Sequence, residues 1–260
     1  MLDISSHQLE VWLTQYLWPF VRIGAAVMTM PVFSASYVPP RSRLVLAGAI
    51  TVLIAPLLPT PGAAEIFSAT GLIITVQQIV IGLAIGFSLQ IVFDALAMGG
   101  QLLANSMGLS FAFNMDPLRG TGTPVIGQFY SIVVTLTFLA LNGHLAVLEM
   151  LVDGFRTLPI GSAGISTGGL WQIGLWGSQI FAGALSVALP GMTALLIVNI
   201  AFGVMSRAAP QLNLFAVGFP ITLICGLLIV LVGLPSVQAN FTDLLQRGFL
   251  LIQTLLSPER

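Results

Sequence analysis

Residues 66–93 read IFSATGLIITVQQIVIGLAIGFSLQIVF, twenty-eight positions from Ile66 to Phe93 without a charge. At about 1.5 Å per helical residue the run spans roughly 40 Å, more than the ~30 Å hydrocarbon core of a bilayer. It sets the class: an all-α, membrane-type chain. Reading outward, further charge-free spans bounded by polar or turn residues bring the expected total to about six. The first covers Val11–Val32 and is interrupted by Arg22; the second covers Leu44–Leu58 and is closed by Pro56, Pro59, Pro61 and Gly62. A fourth covers Val125–Leu148, a fifth starts near Gln179 after a loop inside the uncharged stretch Thr157–Ser206, and a sixth covers Leu212–Val237.

The composition agrees. Of 260 residues 57% are hydrophobic and only 7% charged, with mean hydropathy +1.01, against about 25% charged in soluble domains. The eight basic residues are all Arg, and with nine acidic ones the net charge is −1, which leaves no basic surface for nucleic acid. Asp3 and Glu10 precede the first apolar run where a secretory signal would carry positive charge, so that run is expected to be retained. Ser5 and Gln8 form a capping-box pattern that would start a helix near Ser6. The lone Cys225 lies in an apolar run, reads as a small buried hydrophobe and permits no intrachain disulfide. If six helices alternate, Arg41, Arg43, Arg119 and Arg207 face Arg156, Arg247 and Arg260, a bias too small to fix orientation. Pro190-Gly191 and Gly218-Phe219-Pro220 fall inside apolar segments and are expected to bend or break them.

Catalysis finds no parts. Gly-x-Ser-Gly is absent, the histidines are His7 and His144, and no His-Glu-x-x-His or Gly-Lys-Ser/Thr loop occurs. The chain does not read as an enzyme, and it implies no cofactor or metal. Ionisable residues at membrane depth are Arg22 within the first span, Asp94 after the third, and Glu149 and Asp153 after the fourth. An Arg there faces protein, water or a partner. Without a second buried charge on its helix, Arg22 reads better as a structural group satisfied by carbonyls or an interface than as an ion relay with a carboxylate.

Gly100, Ala104 and Gly108 recur at every fourth position, as do Gly82 and Gly86, giving flat helix faces for close backbone packing. After them come Ser110-Phe111-Ala112-Phe113-Asn114-Met115, then Asp116-Pro117 and a turn through Gly120 and Gly122. Pro117 biases Asp116 away from helix. This Phe- and Met-rich connection either tucks onto its own helices or forms a soft hydrophobic seal in a conduit; the residues alone divide evenly. Ile160–Gly169 reads as a flexible Gly/Ser connector, and Trp171 and Trp176 as interfacial anchors.

The ordered series Met107-Gly108-Leu109-Ser110-Phe111-Ala112, Asp116-Pro117, Pro124-Val125, Asn142-Gly143-His144-Leu145, Phe155 and Leu158-Pro159-Ile160-Gly161 is similar to the FliR family of flagellar biosynthetic proteins. Arg22-Ile23-Gly24-Ala25, Pro31-Val32-Phe33 and Val38-Pro39-x-Arg41-x-Arg43 resemble the family's opening. Arg207-x-Ala209-Pro210-Gln211-Leu212-Asn213 and Gly218-Phe219-Pro220 resemble its close. The match covers the whole chain, with one departure: Gln101 stands where members often carry Glu. SctT-like proteins of injectisomes are relatives.

The resemblance implies a component of the flagellar type III protein export gate in the bacterial inner membrane, at the flagellar basal body. There it would form, with FliP-like and FliQ-like subunits, a closed helical pore for unfolded protein substrates. FlhB- and FlhA-like export components and membrane lipid are further implied partners. A FliP-like part, residues 1–160, would precede a FliQ-like helical hairpin with a carboxy-terminal tail, residues 161–260. The family's plug maps onto Met107, Leu109, Phe111, Phe113 and Met115, which tips the divided reading of this segment toward a seal. The alternative, a small-solute or proton-coupled transporter, shares the broken helices and the buried Arg22 but lacks an inverted repeat.

Overall fold

The computed structural model describes residues 6–35, 38–58, 68–109, 125–161, 164–208 and 214–257. Every regular element among them is helical: α1 (Ser6–Thr29), α2 (Pro40–Ile54) with a one-turn 3-10 extension (Ala55–Leu57), α3 (Ala69–Ser106), α4 (Val125–Ala140), α5 (Gly143–Thr157), α6 (Thr167–Trp176), α7 (Gln179–Ala208) and α8 (Leu214–Leu256). By length and composition four stretches can cross a membrane, Pro40–Leu57, Ala69–Ser106, Thr167–Ala208 and Gly218–Leu256, or five if α4 and α5 count as one bent span.

The expected six spans are corrected in several places. The third apolar run does not stop near Phe93; α3 continues thirteen residues further to Ser106, because one exposed Asp94 on a helix surface ends nothing. The fourth breaks at Leu141-Asn142, where Asn142 takes a left-handed φ of 55° and α5 begins at the next residue. Part of the presumed connector is helical as α6. The prolines expected to bend or break helices do not end them: α7 runs through Pro190 and α8 through Pro220, and α8 also continues through Pro235. All three rings lie on exposed faces, so each forfeits one backbone donor without burying a clash.

The chain divides into two compact units. One comprises residues 1–90, 142–176 and 247–260. In it α1 buries Trp18, Arg22, Ile23, Ala26 and Met30, a stripe at helical spacing, and α3 buries Ile74, Gln78, Ile81, Ile85 and Leu89. Gly82 and Gly86 let α3 approach α1: a Cβ on Gly82 would strike the Arg22 carbonyl and lie 2.8 Å from Ala25 Cβ, and one on Gly86 would strike Thr29. Trp18 Nε1 donates to Thr75 Oγ1 at 3.2 Å. Trp176, expected at the lipid interface, instead donates Nε1 to the Ser88 carbonyl at 2.9 Å, while Trp171 is exposed.

The other unit comprises residues 91–141 and 177–246. Phe93 is its hub, packing edge-to-face on Phe138 at 5.4 Å and on Phe241 at 5.5 Å between ring centroids. On α7 the residues Ala184, Ala188, Gly191 and Leu195 form the buried stripe. Gly100 meets α4 backbone to backbone: a Cβ there would lie 2.8 Å from Gly127 Cα and 2.9 Å from the Ile126 carbonyl. Ala104, one turn on, is fully buried. The outward faces of α7 and α8 carry Leu185, Leu196, Ile197, Leu231 and Val232, all strongly exposed, a surface suited to lipid or apolar partners rather than water.

Candidate functional site

Two arrangements stand out, one in each unit. The first is built on Arg22, a fully buried guanidinium. Its Nε donates to Gln78 Oε1 at 2.6 Å, Nη1 to the Gly154 carbonyl at 3.0 Å and Nη2 to the Leu158 carbonyl at 3.0 Å. Cζ lies 4.2 Å from the centre of the Phe155 ring. Gly154 and Phe155 lie in the last turn of α5 and Leu158 just beyond it, so the cation sits at that helix's negative dipole end, where it shares the Gly154 carbonyl with the Leu158 N–H. All three acceptors are neutral. Asp153 is paired instead with Arg156 at 3.6 Å, and Glu149 and Asp94 are exposed. The bonding is that of a structural clamp fastening α1, α3 and the end of α5 in one unit.

The second arrangement is the exit from α3. Gly108 has φ +78°, Leu109 N donates to the Ala104 carbonyl at 3.1 Å and Gly108 N to the Asn105 carbonyl at 3.1 Å. This is a complete Schellman turn, which only glycine enters without strain. Met107 is fully buried against Gly226 of α8, where a Cβ would fall 2.5 Å from Met107 Cε, and the Phe219 ring lies 3.4 Å from the same notional atom on Gly108. Leu109 is half-buried. Phe111, Phe113 and Met115 lie outside the described residues. The bulky segment thus departs from a rigid, doubly anchored turn. Gly226→Ala is expected to displace Met107, to cost about 1–3 kcal/mol of stability if the core cannot adjust, and so to lower the thermal midpoint in detergent; an unchanged midpoint would show that Met107 moves freely.

Gly218 is buried and Pro220 exposed; Gly191 packs against Leu103, where a Cβ would come within 2.8 Å, beside the exposed Pro190. Gln101, in the position where related chains often hold Glu, is half-buried with Cγ against Gly127. Sequence reasoning missed Gln78 and Phe155 as partners of Arg22, although Gln78 is a polar residue within the apolar α3. Among the described residues no group of three His, Cys, Asp or Glu side chains could hold a metal ion.

Long apolar helices, tight glycine contacts and a buried cation held by neutral oxygen acceptors define an all-α, membrane-type protein. The sequence pattern of the bacterial export proteins, family 1, matches residues 13–248. The chain is 39% identical to the flagellar biosynthetic protein FliR of Escherichia coli (strain K12) and 38% identical to that of Pectobacterium carotovorum subsp. carotovorum, in both cases over 99% of this chain and 98% of the relative. The FliR of Aquifex aeolicus (strain VF5) is 29% identical over 92% of this chain and 93% of its own length. The chain belongs to the FliR family of flagellar biosynthetic proteins.

Proposed function

We propose that this chain is a subunit of the flagellar type III export gate in the bacterial inner membrane, joining FliP-like and FliQ-like subunits in a closed helical pore for unfolded protein substrates. In this reading residues 1–160 are the FliP-like part and 161–260 the FliQ-like hairpin, α7 and α8 supplying its two long helices. That division does not coincide with the compact units, each of which draws on both parts. The observation that carries the reading is the end-to-end likeness to FliR proteins. The exposed apolar faces of α7 and α8 add to it, since they need neighbours of low polarity.

Met107, Leu109, Phe111, Phe113 and Met115 form the seal. Its first member is packed in the core at Gly226, and Phe and Met are side-chain types suited to closing around a void. Arg22 then carries no ions; its role is to hold the scaffold. FlhB- and FlhA-like components supply what this chain lacks for driving export. Replacing Phe111 and Phe113 together by Gly is expected to leave co-purification with the FliP- and FliQ-like subunits intact while raising ion leakage across reconstituted membranes at least several-fold. Unchanged conductance in an assembled variant would remove the sealing role, and a wild-type chain stable as a homo-oligomer without such partners would favour a transporter.

A further inference from the structure

Within the unit of residues 91–141 and 177–246, a crevice of about 360 Å³ opens between α3, α4, α7 and α8. Leu103, Val187, Ile229 and Val237 belong to its apolar wall, and Tyr130 and Ser236 are the polar side chains that line it. Two glycines of the wall behave differently. A Cβ on Gly191 would lie 2.8 Å from Leu103 Cδ1 and 3.0 Å from Ile229 Cγ2, so the wall is closed there, whereas a Cβ on Gly233 would meet nothing within 4 Å.

Tyr130 decides what the crevice can hold. Only 2% of the residue is exposed, yet its hydroxyl forms no hydrogen bond to any of the described residues. The other hydroxyls of α4 are committed: Ser131, Thr135 and Thr137 donate to the carbonyls of Gly127, Ser131 and Val133 at 3.0, 2.7 and 2.8 Å. A buried hydroxyl that gives up water and finds no partner is destabilising. At the rim, Ser236 Oγ accepts from Asn240 Nδ2 at 3.4 Å and donates to none of the described residues. Two turns of the wall also lack a backbone donor, because Pro190 brings no N–H to the Ser186 carbonyl and Pro235 none to that of Leu231.

We propose that the crevice is a hydration site, in which ordered water bridges the Tyr130 hydroxyl to Ser236 and to the backbone of the proline-interrupted turns. A bound water needs about 10–15 Å³ and two to four polar partners, and the crevice supplies both. An acyl chain, or an apolar side chain of a neighbouring subunit, would fill the same volume but leave the hydroxyl unpaired. No charged residue lines the crevice, so nothing in it holds an anion. Water here takes the place of the backbone donors that α7 and α8 forfeit at their prolines, and gives these helices a polar, exchangeable contact instead of a dry seam. The site rests on its own lining and not on the pore reading, so either can fail alone.

The test uses the full chain, purified in detergent with whatever subunits accompany it, and millisecond X-ray hydroxyl-radical footprinting, in which radicals formed from bound water oxidise the ring beside it. Tyr130 is expected to react within about threefold of the rate of Tyr16, which is 39% exposed. Gly233→Leu, whose Cβ has open space at the crevice, is expected to slow oxidation of Tyr130 about tenfold and to leave Tyr16 unchanged. Tyr130→Phe is expected to leave the thermal midpoint at or below wild type, because the water loses a partner; in a dry crevice the same change would raise it by removing an unpaired hydroxyl. Should Gly233→Leu fail to fold, the wild-type footprint and Tyr130→Phe still decide. An unreactive Tyr130 beside a reactive Tyr16, an unaltered Tyr130 rate in folded Gly233→Leu, a more stable Tyr130→Phe, or oxidation of Tyr130 only after the accompanying subunits are stripped away would each overturn the proposal.

Discussion

Arg22→Met is expected to reduce the folded, detergent-extractable yield sharply and to lower the thermal midpoint of whatever remains. Methionine keeps most of the unbranched stem but deletes every donor, taking from Gln78 Oε1 and the carbonyls of Gly154 and Leu158 the bonds they now have at 2.6, 3.0 and 3.0 Å. The Gly154 carbonyl keeps the Leu158 N–H at 3.0 Å, so two acceptors lose this partner outright, at about 1–3 kcal/mol each where no other donor replaces it, and Gln78 can relieve part of this by turning its amide. The sum of roughly 2–6 kcal/mol is a large fraction of the stability of an ordinary domain. Arg22→Lys should fall between: it keeps the positive charge near the end of α5 but replaces a planar fork by a point donor that cannot reach all three acceptors on α3 and the end of α5. Gln78→Leu should be milder than Arg22→Met, because the cation keeps both carbonyls. If Arg22 served as an ion relay, the order would differ: Arg22→Met would fold normally and alter conductance alone. A folded, stable Arg22→Met protein sinks the clamp.

The clamp shows where the sequence could be read and where it could not. In the sequence, the structural reading of Arg22 rests on the absence of a second buried charge on its helix, but its partners lie 56, 132 and 136 positions away. Two of them are backbone carbonyls, which carry no residue identity. The small-residue spacing was legible because it is a property of one helix: Gly82, Gly86, Gly100 and Ala104 all fall where α3 meets a neighbour in its own unit. Helix ends were less so. Asp94 and Pro235 resemble terminators, yet each is exposed on a helix whose other faces pack, so burial on those faces outweighs the local penalty. Asn142-Gly143 was readable as a turn signal, but it lies within an apolar run and the hydropathy of its surroundings masked it. The Schellman turn at Gly108 was half visible: spacing marked the glycine as a packing residue, while its left-handed φ assigns it a second duty that spacing cannot express.

Gly100→Val should be among the most damaging single changes on α3, together with Gly82→Val, whose Cβ would strike the backbone carbonyl of Arg22. A steric clash can be relieved only if what it meets can move, and most of the glycines in the core differ in this respect. A Cβ on Gly226 or Gly191 would meet side-chain ends of Met107 or Leu103, which have rotamers to exchange. At Gly100 the obstacles are Gly127 Cα at 2.8 Å, the Ile126 carbonyl at 2.9 Å and Gly127 N at 3.0 Å, all backbone. Across the contact, a Cβ on Gly127 would in turn lie 3.0 Å from the Ala97 carbonyl. Neither helix can yield without moving bodily. Separating α3 from α4 would also loosen Phe93 from Phe138, since these rings join the same two helices at 5.4 Å. Gly100→Ala should therefore cost about 1–3 kcal/mol, and Gly100→Val more, with loss of the folded chain. Gly174→Ala supplies the control: nothing lies within 4 Å of its notional Cβ, and alanine's better helix propensity should stabilise α6 by up to about 1 kcal/mol. Thermal midpoints in detergent that rank Gly174→Ala at or above wild type, Gly100→Ala below it and Gly100→Val lowest would locate the constraint in backbone contact. Equal effects at Gly100 and Gly174 would mean that only the general flexibility of glycine is at stake.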